Sequence, residues 1–448
     1  MNHRGTRVLR LDALARVEGE AALHLRVEGD TVAETRLRIY EPPRFFEAFL
    51  TGRGHTEPPD ITARICGICP VAYQMSACRA IEDACGVTVD GPLADLRRLL
   101  YCGEWIESHT LHIHLLHAPD FLGYADVVEL ARHQRAAVER GLRIKQTGNA
   151  ILEQLGGRPI HPVNVRIGGF YRTPAPEELR PLAERLRQAR DDALETVRWV
   201  AAFDFPDTMY DHDLLALRDP GRYAIDSGTP AVVSAQGPGP APRGFPLADF
   251  EQHVEEAQVP HSTALTATLD GRRHLTGPLA RYAINGRWLH PVAAEAARHA
   301  GLGDPERGAV CDNPFRSIVV RAVEVVQAVE EALRIIDGYE RPSRPAVDVP
   351  PRRGTGTGAT EAPRGLLYHR YALTGDGSIA EARIIPPTAQ NQGAVEEDVR
   401  GAVQARLATA GPAADDEELT RLCERAIRNH DPCISCATHF LDVTVERL

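Results

Sequence analysis

Arg64-Ile-Cys66-Gly-Ile-Cys69-Pro70 and Asp431-Pro-Cys433-Ile-Ser-Cys436-Ala-Thr-His439 stand far apart in a chain of 448 residues, one near each end. Each Cys-x-x-Cys turn presents two sulfurs on one side of a tight loop, suited to holding one metal as thiolates. If the pairs meet, one thiolate-rich centre ties the two ends of the fold together. Taken alone, each pair is open to other readings. Zinc ribbons place their pairs within roughly 15–20 residues, far closer than here, yet a structural zinc site stays open. A thioredoxin-type redox pair needs a βαβ context that Cys66 and Cys69 lack. Cys78, Cys85, Cys102, Cys311 and Cys423 are scattered and read as small buried hydrophobes.

Composition narrows the class. Apolar residues make up 43% of the chain but aromatics only 6%, so aliphatic side chains must supply most of the core. A formal charge of −11 argues against non-specific nucleic-acid binding. No apolar run reaches the ~18 residues of a membrane span. The stretch Met1–Arg7 has no apolar segment of the kind a signal peptide carries, so a cytoplasmic location is expected. Nine cysteines, an odd number in a long chain, suggest metal-binding thiols in a reducing compartment rather than a disulfide framework.

Between the cysteine pairs the texture is mainly helical. Residues 7–40 read as strands, with a hairpin turning at Gly29-Asp30. Apolar residues then recur at three- and four-residue spacing over 93–118, 126–155, 176–203 and 315–338. Residues 205–312 are mixed. A Pro/Gly/Arg-rich stretch, 341–358, reads as a loop, followed by a short strand pair near 366–385 and helices over 393–410 and 415–429. The expected fold is α+β and mainly helical, a long-helix bundle core with small peripheral β-hairpins. A single domain over 1–439 is expected, because a boundary at 341–358 would part the cysteine pairs.

The flanks of the cysteines carry a resemblance. Arg-Ile-Cys-Gly-Ile-Cys together with Asp-Pro-Cys-x-x-Cys-x-x-His is similar to the large, catalytic subunit of nickel–iron hydrogenases. Arg16-Val-Glu18-Gly19 and Arg44-Phe-Phe-Glu47-Ala-Phe-Leu-Thr-Gly-Arg53 resemble that family's N-terminal motifs. His161-Pro162, Gly168-Gly169, Glu361-Ala-Pro-Arg364-Gly365 and Pro387-Thr388-Ala-Gln-Asn391 follow in family order. The resemblance spans residues 12–439 and implies the hydrogenase large-subunit fold.

It also implies site roles. Cys66, Cys69, Cys433 and Cys436 would bind nickel, with Cys69 and Cys436 bridging to an iron that carries carbon monoxide and cyanide. Soft thiolates suit both metals. Arg364 would hang over the open metal position, with Asp120 and Asp431 beside it, and Thr388 would donate to a cyanide. Glu18 would be the first proton acceptor from a cysteine sulfur. Glu47 and His439 would bind magnesium or a similar hard cation. The histidines at 109, 112, 114 and 117 point too widely around a helix for one metal and read as core residues. Residues 440–448 would be a C-terminal extension removed by a maturation protease after nickel-insertion proteins have acted.

Two departures bear on subtype. Glu20 stands where the family commonly has histidine, and so does Tyr73. The stretch Pro70-Val-Ala-Tyr73-Gln-Met-Ser instead resembles cytoplasmic, multimeric enzymes coupled to NADP or NAD. The chain has no Gly-x-Gly-x-x-Gly fingerprint between a strand and a helix and too few cysteines for an iron–sulfur relay. An iron–sulfur small subunit is therefore an expected partner, with further flavin- and NAD(P)-binding and iron–sulfur subunits beyond it. The rival readings are a dihydrogen sensor, a hydrogenase tied to sulfur or a deazaflavin, a metal-free respiratory relative, and a zinc-stapled structural protein.

Overall fold

The computed structural model describes residues 6–234, 242–411 and 414–438. His439 and the extension 440–448 lie outside them. The architecture is mainly helical α+β. Its centre is the helix Ser317–Asp337, buried on every face from Ser317 to Leu333, which is what its run of valines and alanines dictates. Against it pack the helices Gly91–Leu111 and Pro176–Ala201, and Arg135–Gly156 packs in turn on both of these. Two glycines on Arg135–Gly156, seven residues apart, let it lie close against its neighbour. A Cβ at Gly148 would sit 2.7 Å from the backbone of Gly103 and Glu107, and one at Gly141 would sit 2.5 Å from the His114 ring.

The bundle holds charges as well as aliphatics. Glu324, wholly buried, accepts from Arg281 Nε and Nη2 at 2.7 Å each and from the Tyr223 hydroxyl at 2.8 Å, with His109 Nε2 at 3.0 Å. Burial works against its charge, but Arg281 and His109 outweigh it and hold the carboxyl down to about 2. A depressed carboxylate stabilises the fold above its unfolded value near 4.5 and loses that contribution as pH falls toward about 2. We expect Glu324→Gln to cost ~3–5 kcal/mol, the usual penalty for breaking a buried ion pair. It should also flatten the acid limb of the stability profile over that window. Denaturant unfolding at pH 7 and pH 3 checks both, and equal losses at the two pH values would contradict the electrostatic account.

At the N-terminal edge, Thr6–Leu11, Ala21–Glu28 and Thr31–Ile39 form an antiparallel sheet, turning at Gly29-Asp30 as the sequence predicts. Leu23, Leu25 and Val27 point inward onto the helices Pro387–Ala410 and Asp416–Arg428. A second sheet centres on Asp213–Arg218 within the stretch read as mixed.

Two readings of the sequence are corrected. The Pro/Gly/Arg-rich stretch does not stay a loop to Gly358, and the strand pair near 366–385, present as read, has a third strand that the sequence reading missed. Gly354–Ala362, Gly365–Leu373 and Ile379–Ile385 form one antiparallel sheet. The glycines of Gly354-Thr-Gly-Thr-Gly358 serve a close approach rather than a turn. The helix Pro70–Cys85 lies directly on this strand, so that a Cβ at Gly356 would meet Ala84 N at 2.1 Å and one at Gly358 would meet Ser76 O at 2.4 Å. That helix was itself missed, because it is buried nearly all round and its small residues show little periodicity. Among the described residues, no helix is long and apolar enough to cross a membrane.

Candidate metal centre

The two cysteine turns meet. Cys66 Sγ lies 3.4 Å from Cys433 Sγ, Cys69 Sγ lies 3.6 Å from Cys436 Sγ, and all four sulfurs fall within 4.8 Å of one another. None is more than 3% exposed. Cys69 starts the helix Pro70–Cys85, and Cys433 starts the short helix Ile434–Ala437. Arg44 clasps the two turns, donating from Nη2 to Ile65 O at 2.6 Å and to Ser435 O. The segment around Glu18 seals the second turn. Glu18 bridges Cys433 in parallel, and Ile434 N donates to Glu18 O at 3.0 Å. Gly19 is required there: at φ +86° a Cβ would sit 2.5 Å from Glu41 Oε2 and 2.6 Å from Ile434 Cβ.

Four thiols this close cannot ionise independently. Contacts from Cys433, Cys436 and Cys69 push Cys66 well below the ordinary thiol value, while burial and contacts from Cys436 hold Cys433 well above it. A soft cation resolves the conflict by displacing protons and satisfying the sulfurs together. The Tyr73 hydroxyl, at one of the two positions that depart from the family pattern, is buried facing Cys436 and Cys69.

Arg364 overlooks the sulfurs. It occupies the two-residue turn between Gly354–Ala362 and Gly365–Leu373. Arg281 fixes that turn, donating to Ala362 O at 2.9 Å and Pro363 O at 3.0 Å. Gly277, at φ +114°, makes room beside it, since a Cβ would lie 2.7 Å from Arg364 O. The guanidinium donates from Nε to Asp431 O at 2.8 Å and from Nη2 to Asp431 Oδ1 at 3.3 Å. Its Nη1 is buried with no hydrogen-bond partner among the described residues. Burial opposes the charge, but Asp431, Cys433, Cys69 and Cys66 outweigh it and keep Arg364 protonated. Burial pushes the Asp431 carboxyl up, against the pull of Arg364.

The other predicted residues divide. Glu18 Oε2 accepts from Cys433 Sγ at 3.1 Å and Ser435 N at 3.0 Å. Thr388 Oγ1 accepts from Cys433 N at 3.0 Å, leaving its own proton to donate. Glu47 Oε1 accepts from Ile384 N at 2.7 Å, while His439 lies outside the described residues. Asp120 is a correction. Expected beside Arg364, it is instead held by Arg16 and by Arg428, whose Nε and Nη2 lie 2.7 and 2.9 Å away. It sits on the short helix Ala118–Leu122, beyond a turn of π-helix at His112–His117. The histidines are core residues, as expected: His109 meets Glu324, His112 meets Arg428 O at 2.7 Å and His114 meets Thr196 at 3.2 Å. Sequence reasoning missed the Arg44 clasp, the link from Ser435 Oγ to Glu41 Oε1 at 2.8 Å, and Glu104, buried behind Cys69. Arg44 lies inside a recognisable motif; the others carry no local signal.

Four buried cysteine sulfurs gathered beside a protonated guanidinium form a group that could hold a metal ion. Comparison with known proteins gives the family. The sequence profile of the nickel-dependent hydrogenase family matches residues 44–149 and 316–439. The alpha chain of sulfhydrogenase 1 from Pyrococcus furiosus is 33% identical over 96% of this chain and 97% of its own. A subunit of the F420-non-reducing hydrogenase of Methanothermobacter marburgensis is 27% identical over 97% of this chain and 95% of its own. A crystal structure of an NAD+-reducing [NiFe]-hydrogenase in the H2-reduced state superposes with a TM-score of 0.87 at 29% identity, covering 97% of this chain and 99% of that one. The chain belongs to the nickel-dependent hydrogenase family, as the catalytic large subunit of a nickel–iron hydrogenase, an oxidoreductase acting on dihydrogen.

Proposed function

We propose that this chain splits dihydrogen heterolytically and reversibly, with NADP or NAD as the final acceptor of electrons that leave through partner subunits. The observation that carries the reading is the convergence of four buried cysteine sulfurs beneath Arg364. Cys66, Cys69, Cys433 and Cys436 would hold nickel, with Cys69 and Cys436 shared with an iron bearing carbon monoxide and cyanide. When bound, that pair of metals supplies the site where dihydrogen is polarised and its two electrons are taken up. The protein's own groups do the rest. Arg364 places a fixed positive charge in a dry pocket, held by Asp431. Thr388 anchors the Cys433 amide and keeps a proton for a cyanide. Glu18 stands where it can take a proton from Cys433 Sγ.

Glu18→Gln keeps an oxygen for Ser435 N but removes the proton acceptor. Dihydrogen oxidation should fall ~10²–10⁴-fold, the range for loss of a positioned acid–base group, with metal content unchanged. Turnover near wild type would exclude Glu18 as the acceptor.

Glu47 and His439 would complete a magnesium site. Residues 1–439 would form one domain, and 440–448 would be removed on maturation once nickel-insertion proteins have loaded the centre. For the iron–sulfur small subunit, an exposed apolar cluster offers a seat. Ile160 is 56% exposed, Val163 48% and Tyr171 58%, and Ile160 Cγ2 would lie 4.0 Å from a Cβ at Gly67, inside the first cysteine turn. Further flavin- and NAD(P)-binding subunits would follow it. A cytoplasmic location fits that acceptor. A second acceptor is kept open by the sulfhydrogenase relative: elemental sulfur or polysulfide in place of NAD(P).

The test is an infrared spectrum of the complex purified with its native partners, with nickel quantified on the same sample and NADP, NAD and polysulfide compared as acceptors. Cyanide and carbonyl bands with stoichiometric nickel are expected. Zinc alone, with no such bands in matured protein, would overturn the reading.

A further inference from the structure

We propose that Glu104 is a positioning residue for the metal centre: it supplies from outside the helix cap that Cys69 withholds, freeing that sulfur for metal. The inference rests on the four cysteines being the metal ligands.

A helix begins with backbone N–H groups that have no partner inside it, and a side-chain oxygen at the residue before the first turn ordinarily accepts one of them. Cys69 holds that residue position at the start of Pro70–Cys85 and gives no such bond. Its sulfur is turned toward Cys436 instead. Pro70 has no N–H to satisfy. The next two are taken by one carboxylate: Val71 N donates to Glu104 Oε2 at 2.6 Å and Ala72 N to Glu104 Oε1 at 3.1 Å.

Glu104 is wholly buried and belongs to Gly91–Leu111, a helix fixed in the bundle by the Gly103–Gly148 crossing. Burial pushes the Glu104 carboxyl well up, against the pull of the Val71 and Ala72 amides, and in either form its two oxygens are the acceptors these N–H groups have. The carboxyl group thus locks the first turn after Cys69 to a rigid element. Tyr101, three residues earlier on the same helix, backs it by donating to Thr360 Oγ1 at 2.9 Å. Without Glu104, two buried amides would lack acceptors and the start of the helix, with Cys69, would be free to shift.

The experiment uses the matured complex with Glu104→Ala, Glu104→Gln and, as a structural control, Glu82→Gln. Glu82 lies near the other end of the same helix, paired with Arg97 at 2.6 and 2.9 Å. Nickel per chain after dialysis against a chelator, and the position of the carbonyl stretch, are the readouts. Supporting groups behind a metal ligand commonly carry ~10–100-fold of metal affinity, so Glu104→Ala should lose nickel by a factor in that range. Glu104→Gln keeps one acceptor but sets an amide NH2 against the second backbone N–H, so it should retain more nickel than Glu104→Ala and still shift the carbonyl stretch. Glu82→Gln should lower thermal stability and leave the stretch in place.

If Glu104→Ala fails to fold, the glutamine variant decides. Wild-type nickel and band position in Glu104→Gln, or an equal shift in Glu82→Gln, would overturn the proposal. Absence of the bands in the unsubstituted complex would overturn the centre itself and this inference with it.

Discussion

Arg364→Lys is expected to keep nickel at the wild-type level while dihydrogen turnover falls ~10²–10³-fold, the usual cost of removing a preorganised electrostatic group. The argument is geometric. Arg364 uses Nε and Nη2 on Asp431 and leaves Nη1 buried with no hydrogen-bond partner among the described residues. A lysine carries the same charge on one nitrogen and cannot hold Asp431 and face the metal position together. Because none of the sulfurs depends on Arg364 for a hydrogen bond, metal content should be unaffected. Nickel quantification and dihydrogen-dependent dye reduction on one sample separate the two effects. Turnover within about threefold of wild type would show that charge alone suffices and that the fork geometry is incidental.

Cys433→Ser is expected to abolish the centre. Cys433 touches Cys66 at 3.4 Å and Cys436 at 2.9 Å, takes Glu18 as acceptor and gives its amide to Thr388. A serine oxygen is a hard, weakly acidic donor with no place in a soft thiolate set. Since lesser changes behind a ligand already cost ~10–100-fold in affinity, loss of a ligand should exceed ~100-fold. The variant chain should fold, because the change replaces one side-chain atom and leaves the surrounding core in place, but it should carry no nickel and show no cyanide or carbonyl bands. A nickel-loaded serine variant with those bands intact would remove Cys433 from the ligand set.

The sequence was most legible where chemistry leaves little freedom. Two Cys-x-x-Cys turns with their flanks announced a shared centre, and the sulfurs converge. Helices with one apolar stripe, such as Pro176–Ala201 and Asp416–Arg428, showed their period. Pro70–Cys85 did not: it is buried nearly all round, and its many alanines and cysteines mark a helix less strongly than the valines of Ser317–Asp337. Gly354-Thr-Gly-Thr-Gly358 misled for a related reason: glycine marks a turn in most contexts, but here three of them let a helix rest on a strand. Asp120 shows a different limit. A carboxylate can be recognised as buried or functional from its surroundings in the chain, but which of several arginines it meets is settled only by packing. Glu104 is the extreme case, since the amides of Val71 and Ala72 that donate to it lie far earlier in the chain and nothing local marks it.

The clasp between the chain's ends has a consequence for biosynthesis. Glu18, Arg44 and Cys66 are made long before Cys433 and Cys436, and each of the earlier residues needs a later one to find its place. Contacts between such distant residues form late in folding. A nascent chain that stalls, or a fragment that ends before Asp431, therefore offers half a ligand set and no pocket. The full ligand set exists only in a polypeptide extended past Cys436, which makes loading a proofreading step: scarce nickel is committed only to chains read through that far.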